Sequence, residues 1–342
     1  MTTRKHLLTT ILVLLLSLSI VPLAAAQSTP AAESAGGLCI PEGGIEAQES
    51  YLIGMSQANR GEPWRQAMND QIAAAAANHP ELEVVFADAA QDNARQVADV
   101  ENFLQQGIDL LIISPNEAAP LTDVVAAACE QNVPVIVLDR KVNGDQFTMW
   151  IGADNVEIGR RAGERAAAFC EEQGHDPCNV LEIRGLEGST PAQERGDGFR
   201  EGIAGNPAVT IIASQNADWL RERAIPVSQA MFQANPDVHV VYTHNDPMTE
   251  AAIISAENSG LNLDDVLFIG IDALPTPDGG IRSVIDGRID ATYVYPTGGQ
   301  QAIDYTLAIL GGEVPPAEVV LETEEVLADN AEALLEQYGG GD

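Results

Sequence analysis

The 342-residue chain carries 51 acidic against 17 basic side chains, a formal charge of −34, with 45% apolar and 5% aromatic residues. Such an excess repels phosphate backbones and anionic lipid surfaces, so neither nucleic acid nor a membrane surface is expected as a partner. The length suits one large domain or two of ordinary size.

Arg4 and Lys5 precede the apolar run Ile11 to Leu16, Ile20, Val21 and Pro22 follow, and Ala24-Ala25-Ala26 offers small residues to a peptidase. This predicts residues 1–26 as a secretory signal. The run is shorter than the ~20 residues that span a bilayer. Losing Arg4 and Lys5 moves the charge from −34 to −36. Cys39 follows Leu38 rather than a small residue and lies well past the run, which argues against lipidation. The mature chain is expected in the periplasm or extracytoplasmic space.

Export favours disulfides over metal for the four cysteines. Three pairings exist. Cys170 and Cys178 flank a Gly-His-Asp-Pro turn, and Cys39 and Cys129 would then tie the N-terminal extension to a helix. His6, His79, His175, His239 and His244 are scattered without ligand spacing, so no metal and no cofactor is expected.

Residues 27–49, rich in Ala, Ser, Gly, Pro and Glu, read as a flexible lead-in. Apolar runs then alternate with amphipathic segments. Strands are predicted at Tyr51–Ser56, Glu83–Ala87, Leu110–Ser114 and Val135–Asp139, with helices at Pro63–Ala77, Asn93–Gln105 and Leu121–Gln131. Pro63 suits a first helical position, Asp92 or Asn93 a cap, and Thr122-Asp123 an early acidic turn. The rhythm repeats, with strands at Asn179–Ile183, Val209–Ala213, Val240–Thr243, Val266–Gly270 and Ala291–Tyr295. Helices are predicted at Asn155–Glu171, Pro191–Ala204, Leu220–Asn235, Pro247–Ser259 and Gly298–Leu310. Fully apolar strands between helices indicate α/β architecture with parallel sheets covered on both faces. Two such runs of about a hundred residues predict two doubly wound lobes, first crossed near Gly152–Asn155.

Ligands of open parallel sheets bind beyond the carboxyl ends of the strands. Those ends carry Ser56-Gln57 with Glu62-Pro63-Trp64-Arg65, Ser114-Pro115-Asn116, Asp139-Arg140, Glu182 to Gly185, His244-Asn245-Asp246, Gly270-Ile271-Asp272 and Tyr295, with Trp219 nearby. Carboxylates, amides and forked guanidinium donors beside indole faces suit a sugar, which presents paired hydroxyls and apolar C–H edges. Glu194 and Arg195 read as an ion pair at a helix start.

Five ordered segments, Val137-Leu138-Asp139-Arg140, Ala153-Asp154-Asn155, Glu194-Arg195-Gly196-Asp197-Gly198-Phe199, His244-Asn245-Asp246-Pro247-Met248 and Ile269-Gly270-Ile271-Asp272, resemble the ribose/galactose-type periplasmic sugar-binding proteins of ABC transporters. The likeness runs over roughly Tyr51 to Leu310. It is nearest the galactofuranose-binding branch, through Pro63-Trp64-Arg65, Pro177-Cys178-Asn179-Val180 and Tyr242-Thr243-His244-Asn245-Asp246.

The resemblance implies the type I periplasmic binding protein fold, two lobes joined by a three-strand hinge. Its boundaries would be an N-terminal lobe of 50–153 completed by 297–318 and a C-terminal lobe of 154–296, with 319–342 crossing back near Val319. It also implies a ligand set of Ser56, Glu62, Trp64, Arg65, Ser114, Asp139, Arg140, Gln193, Trp219, Asn245, Asp272 and Tyr295. Asp139 and Arg140 would bind hydroxyls from one lobe, Asn245 and Asp272 from the other, with Trp64 and Trp219 stacking. Glu62, Gln193 and Tyr295 depart from the pentose binders, which carry Asn or a small residue, Arg and Gln there.

A monomeric, non-catalytic protein follows. It would close around a furanose or pyranose monosaccharide and deliver it to an ABC permease, or else present it to a chemoreceptor or kinase. An enzyme of the same layered fold lacks support, since no phosphate loop ending in Lys-Ser/Thr and no G-x-S-x-G elbow occurs. A sugar-sensing regulator would need a basic DNA-binding headpiece.

Overall fold

The computed structural model describes residues 39–339. Residues 1–26, expected as a secretory signal, and residues 27–38 of the expected lead-in lie outside them. Residues 39–50 form no helix or strand. They are nonetheless held, because Ile40 and Ile45 pack on the core and Cys39 is bonded to Cys129.

The first sheet is parallel throughout, in the order β11-β5-β4-β3-β1-β2. Its strands are β1 Tyr51–Gln57, β2 Leu82–Asp88, β3 Leu110–Ser114, β4 Val135–Leu138, β5 Met149–Ala153 and β11 Glu318–Leu321. β3, β4 and β5 are buried along their whole length, as central strands covered on both faces must be. Helices α1 Pro63–Ala76, α2 Asn93–Gln106 and α3 Ala118–Glu130 connect them, and α9 Gly299–Leu310 packs beside α1.

The second sheet is β7-β6-β8-β9, also parallel, from β6 Cys178–Arg184, β7 Val209–Asn216, β8 Val240–Thr243 and β9 Leu267–Ile269. Bridges Ile269 to Ala291 and Asp272 to Val294 extend it. Helices α4 Asn155–Gln173, α5 Thr190–Ile203, α6 Arg221–Ala234, α7 Asp246–Ser259 and α8 Gly280–Ile285 surround it. The antiparallel pair β10 Thr292–Tyr293 and β12 Glu325–Val326 lies beside it, and α10 Ala331–Gln337 packs on α8.

Local chemistry explains most boundaries. Asp92 accepts from the backbone N–H groups of Ala94 and Arg95, and Asp154 from that of Glu157, satisfying donors that a helix start leaves open. α3 begins at Ala118, three residues before the expected Leu121, because Pro120 falls in the first turn, where no N–H partner is needed. Thr122 and Asp123 therefore sit in its second turn.

Strands β5, β11 and β12 and helices α8 and α10 add to the predicted elements. All are short, and β11 alternates exposed with half-buried residues instead of showing an apolar run. The chain crosses between sheets at 153–155, at 295–298 and after Leu321, the last two residues beyond Val319, since β11 pairs with β5 through Leu321.

The bonds Cys39–Cys129 and Cys170–Cys178 are both formed.

Candidate functional site

Loops at the carboxyl ends of both sheets face one cleft. A cavity there is lined by Glu62, Trp64, Arg65, Asp139, Arg140, Pro191, Arg195, Trp219, Asn245, Asp272 and Tyr295, bordering about 280 Å³ of space that is partly open to solvent.

On the first-lobe wall, Arg65 is the organising cation. Its Nη1 donates to Gln57 Oε1 at 2.8 Å and Ser114 Oγ at 2.7 Å, and its Nη2 to Asp139 Oδ2 at 2.7 Å. The other carboxylate oxygen of Asp139 accepts from the Tyr295 hydroxyl at 2.7 Å. Arg140 donates to the Asn116 carbonyl at 2.8 Å. Its other guanidinium N–H groups make no hydrogen bond to a described residue. Glu62 precedes α1 without capping it. Its carboxyl turns into the cleft, with Oε1 accepting from Asn59 at 3.2 Å. Trp64 donates its indole N–H to the Tyr295 carbonyl at 2.7 Å, so the wall is tied to the second crossing.

On the second-lobe wall, Arg195 Nε donates to Asn155 Oδ1 at 2.9 Å and Nη1 to the His244 carbonyl. Its guanidinium lies 4.4 Å from the Tyr295 ring centre and 5.3 Å from that of Trp219. Arg140 stands 5.4 Å from the Trp219 ring, so the indole carries one guanidinium from each lobe. Asn245 caps α7 by accepting from Met248 N and donates to the Trp219 carbonyl, which leaves one amide N–H for the cavity. The Asp272 carboxyl takes no hydrogen bond from a described residue, and Trp219 Nε1 is buried without a partner.

Asp139, Trp219 and Asp272 all have positive φ, at 69°, 73° and 131°. Side-chain-bearing residues adopt such angles only when their surroundings impose them. For Asp139 the ladder bond from its N to Ile151 O does so, and for Asp272 the paired bonds with Tyr293 and Tyr295.

Burial pushes the Glu62 carboxyl up, against the pull of Arg65 and Arg140. It raises Asp272 well above the carboxylate range, with neighbouring Asp246 adding to the effect. Burial also lowers Arg140 to about 9, assisted by repulsion from Arg65. Ionisable groups are thus largely buried and incompletely paired within the protein, which is costly unless a guest supplies the missing hydrogen bonds. Among the described residues, no group of three or more His, Cys, Asp or Glu side chains is placed to hold a metal.

Nine of the twelve residues assigned from the sequence line this cavity. Ser114 stands behind it, supporting Arg65, and Ser56 accepts from buried Gln96 at 3.3 Å. Gln193 points outward and donates to the Glu187 carbonyl. Instead Pro191 and Arg195, four apart on one face of α5, enter the site. Arg195 therefore reaches the cleft rather than forming the expected pair with Glu194. Gln57 and Asn155 position Arg65, Arg195 and Tyr295; Gln57 carried no sequence signal beyond its place at a strand end, and Asn155 only its place in the Ala153-Asp154-Asn155 segment, with no role assigned to it.

Residues 53–313 match the periplasmic binding protein domain. The chain is 30% identical to the ribose import binding protein of Bacillus subtilis, over 72% of this chain and 76% of that protein. It is also 30% identical to a galactofuranose-binding protein of Escherichia coli, over 70% and 76%. The solved fructose-binding periplasmic domain of a hybrid two-component system superposes with a TM-score of 0.80 at 38% identity, covering 84% of this chain and 94% of that one.

Proposed function

The chain belongs to the periplasmic binding protein family, among its ribose/galactose-type sugar binders, and from that premise we propose that it captures one monosaccharide between its lobes and hands it to an ABC importer outside the cytoplasm. Its relatives are substrate-binding proteins rather than enzymes.

The supporting observation is the set of incompletely used groups facing one another across the cleft. Glu62, Asp139 and Arg140 come from one lobe, and Arg195, Asn245 and Asp272 from the other. Acceptors and forked donors in alternation fit vicinal hydroxyls, and Trp64, Trp219 and Tyr295 supply faces for C–H edges. A ligand touching both walls favours the closed arrangement over the open one, so binding itself drives closure about the crossings at 153–155, 295–298 and 322–324. The relatives' sugars, ribose, galactofuranose and fructose, define the class to test.

A thermal-shift panel of monosaccharides, including furanose-forming hexoses, should single out one sugar or a close pair by a raised melting temperature. A flat response across the panel would defeat the proposal. A sensory role is the second reading, favoured by the two-component relative. Loss of labelled-sugar uptake in cells lacking this chain supports import, whereas loss of a sugar-induced response with normal uptake supports sensing.

A further inference from the structure

Several contacts join the lobes without lining the cavity, and their chemistry is unusual. Glu117 occupies the N-cap position of α3 but does not cap it. Its side chain reaches the opposite lobe instead, so near Gly188 that a Cβ on that glycine would stand 1.9 Å from Glu117 Oε2 and 2.7 Å from its Cγ. The carboxylate is held in place by Asn93, whose amide donates to Glu117 Oε1 at 2.6 Å. Asn93 is itself bonded to Asn116, and the Asn116 backbone N–H is bonded to fully buried Gln96.

In return, the first backbone N–H of α3, that of Ala118, donates to the Gly188 carbonyl at 3.0 Å. That N–H is one of the donors a helix start cannot satisfy internally. Two further bonds flank the pair. Lys141 N donates to Thr190 Oγ1 at 3.0 Å, and Gln91 Nε2 donates to the Asp218 carbonyl at 3.1 Å. Gln91 follows β2, the sheet edge opposite β11 and β5, where two of the three crossings leave.

We propose that these contacts form a clasp at the cleft mouth which populates the closed form before sugar arrives, and which sets affinity without touching the sugar. The bonds from Ala118 to Gly188, from Lys141 to Thr190 and from Gln91 to Asp218 each join one lobe to the other, so parting the lobes breaks them together. An apparent dissociation constant scales inversely with the fraction of molecules already competent to hold the ligand. Weakening the clasp therefore weakens all ligands by one common factor, whereas altering a cavity residue changes their rank order. The φ of Gly188 is not positive. A side chain there conflicts with Glu117 of the other lobe rather than with its own backbone.

The inference rests on the two-lobe capture reading, but its first test needs no ligand. Small-angle scattering of the sugar-free full chain should show a larger radius of gyration for Gly188→Val than for the wild type. Adding Glu117→Ala to that variant makes room for the valine and should bring the radius back toward the wild-type value. A Gly188→Val profile indistinguishable from wild type, or an opening that Glu117→Ala does not reverse, would overturn the clasp. With the sugar identified by the thermal panel, Gly188→Val should weaken that sugar and its nearest epimer by the same factor, at least fivefold. Unequal factors would assign Gly188 to selectivity instead. Failure of the panel alone would remove the sugar reading and leave the scattering result standing.

Discussion

Asp272 and Arg140 face the cavity from opposite lobes, each with hydrogen-bonding capacity that the protein leaves open. Truncating either would leave a sugar hydroxyl in the cleft unpaired, at a cost of ~1–3 kcal/mol. Arg140→Ala and Asp272→Ala should each cut sugar affinity at least tenfold while the melting transition stays cooperative, as calorimetry would show; undiminished binding in both would discard the site. Asp246, directly behind Asp272, shares its upward shift. Burial pushes its carboxyl up to about 7, although the Thr292 hydroxyl and the Ala273 N–H oppose this. The folded form then binds this proton more tightly than the unfolded chain, whose Asp titrates near 4. Folding stability is lost as pH rises from about 4 through 7. Asp246→Asn should flatten that slope, read as a smaller fall in melting temperature between pH 5 and pH 8 than in the wild type. Most of these side chains were legible beforehand, because a parallel sheet delivers its strand-end loops to one edge whatever the details. Gln193 and Arg195 show the limit. The helix was visible but its rotation was not, and two residues on a helix face nearly opposite directions.

At the scale of elements, the closest packing lies between α4, which begins at the first crossing, and α5, which carries Arg195. Gly159 and Gly163 of α4 press against the carbonyls of Arg195 and Phe199. Gly198 and Gly202 of α5 press against those of Val156 and Arg160, and an added Cβ at any of the four would lie 2.0–2.4 Å from a backbone oxygen. This approach lets Asn155 reach Arg195. Gly163→Val should force the helices apart, destabilising the fold by ~1–3 kcal/mol and weakening the sugar as Arg195 moves. Unchanged melting and affinity would show that the two helices adapt freely. The glycines were plain in the sequence, but their reciprocal spacing gains meaning only once both helices are known to touch. Strands β11 and β12 escaped for a related reason: each is short and stabilised by partners far away in sequence, which no local pattern records.

For the whole molecule, charge dominates. Beyond residue 26, Lys141 is the single lysine, and Arg65, Arg140 and Arg195 are buried in the site. The acidic surface therefore has few counter-charges, and self-repulsion opposes compactness until ions screen it. Melting temperature should climb between 10 mM and 1 M sodium chloride, and a flat dependence would mean that the carboxylates are too dispersed to matter. The two-lobe plan was readable from the repeated strand and helix rhythm, whereas the third crossing depended on pairing that only the folded chain reveals. The indole of Trp219, held between Arg140 of one lobe and Arg195 of its own, has an optical consequence. Separation of the lobes strips one cation from that chromophore and wets it, while Trp150 stays capped by Lys141 within a single lobe. Emission from this unlabelled chain is thereby a built-in gauge of its own gape, with Trp219 and the cleft-lining Trp64 as the needles and Trp150 as the fixed mark.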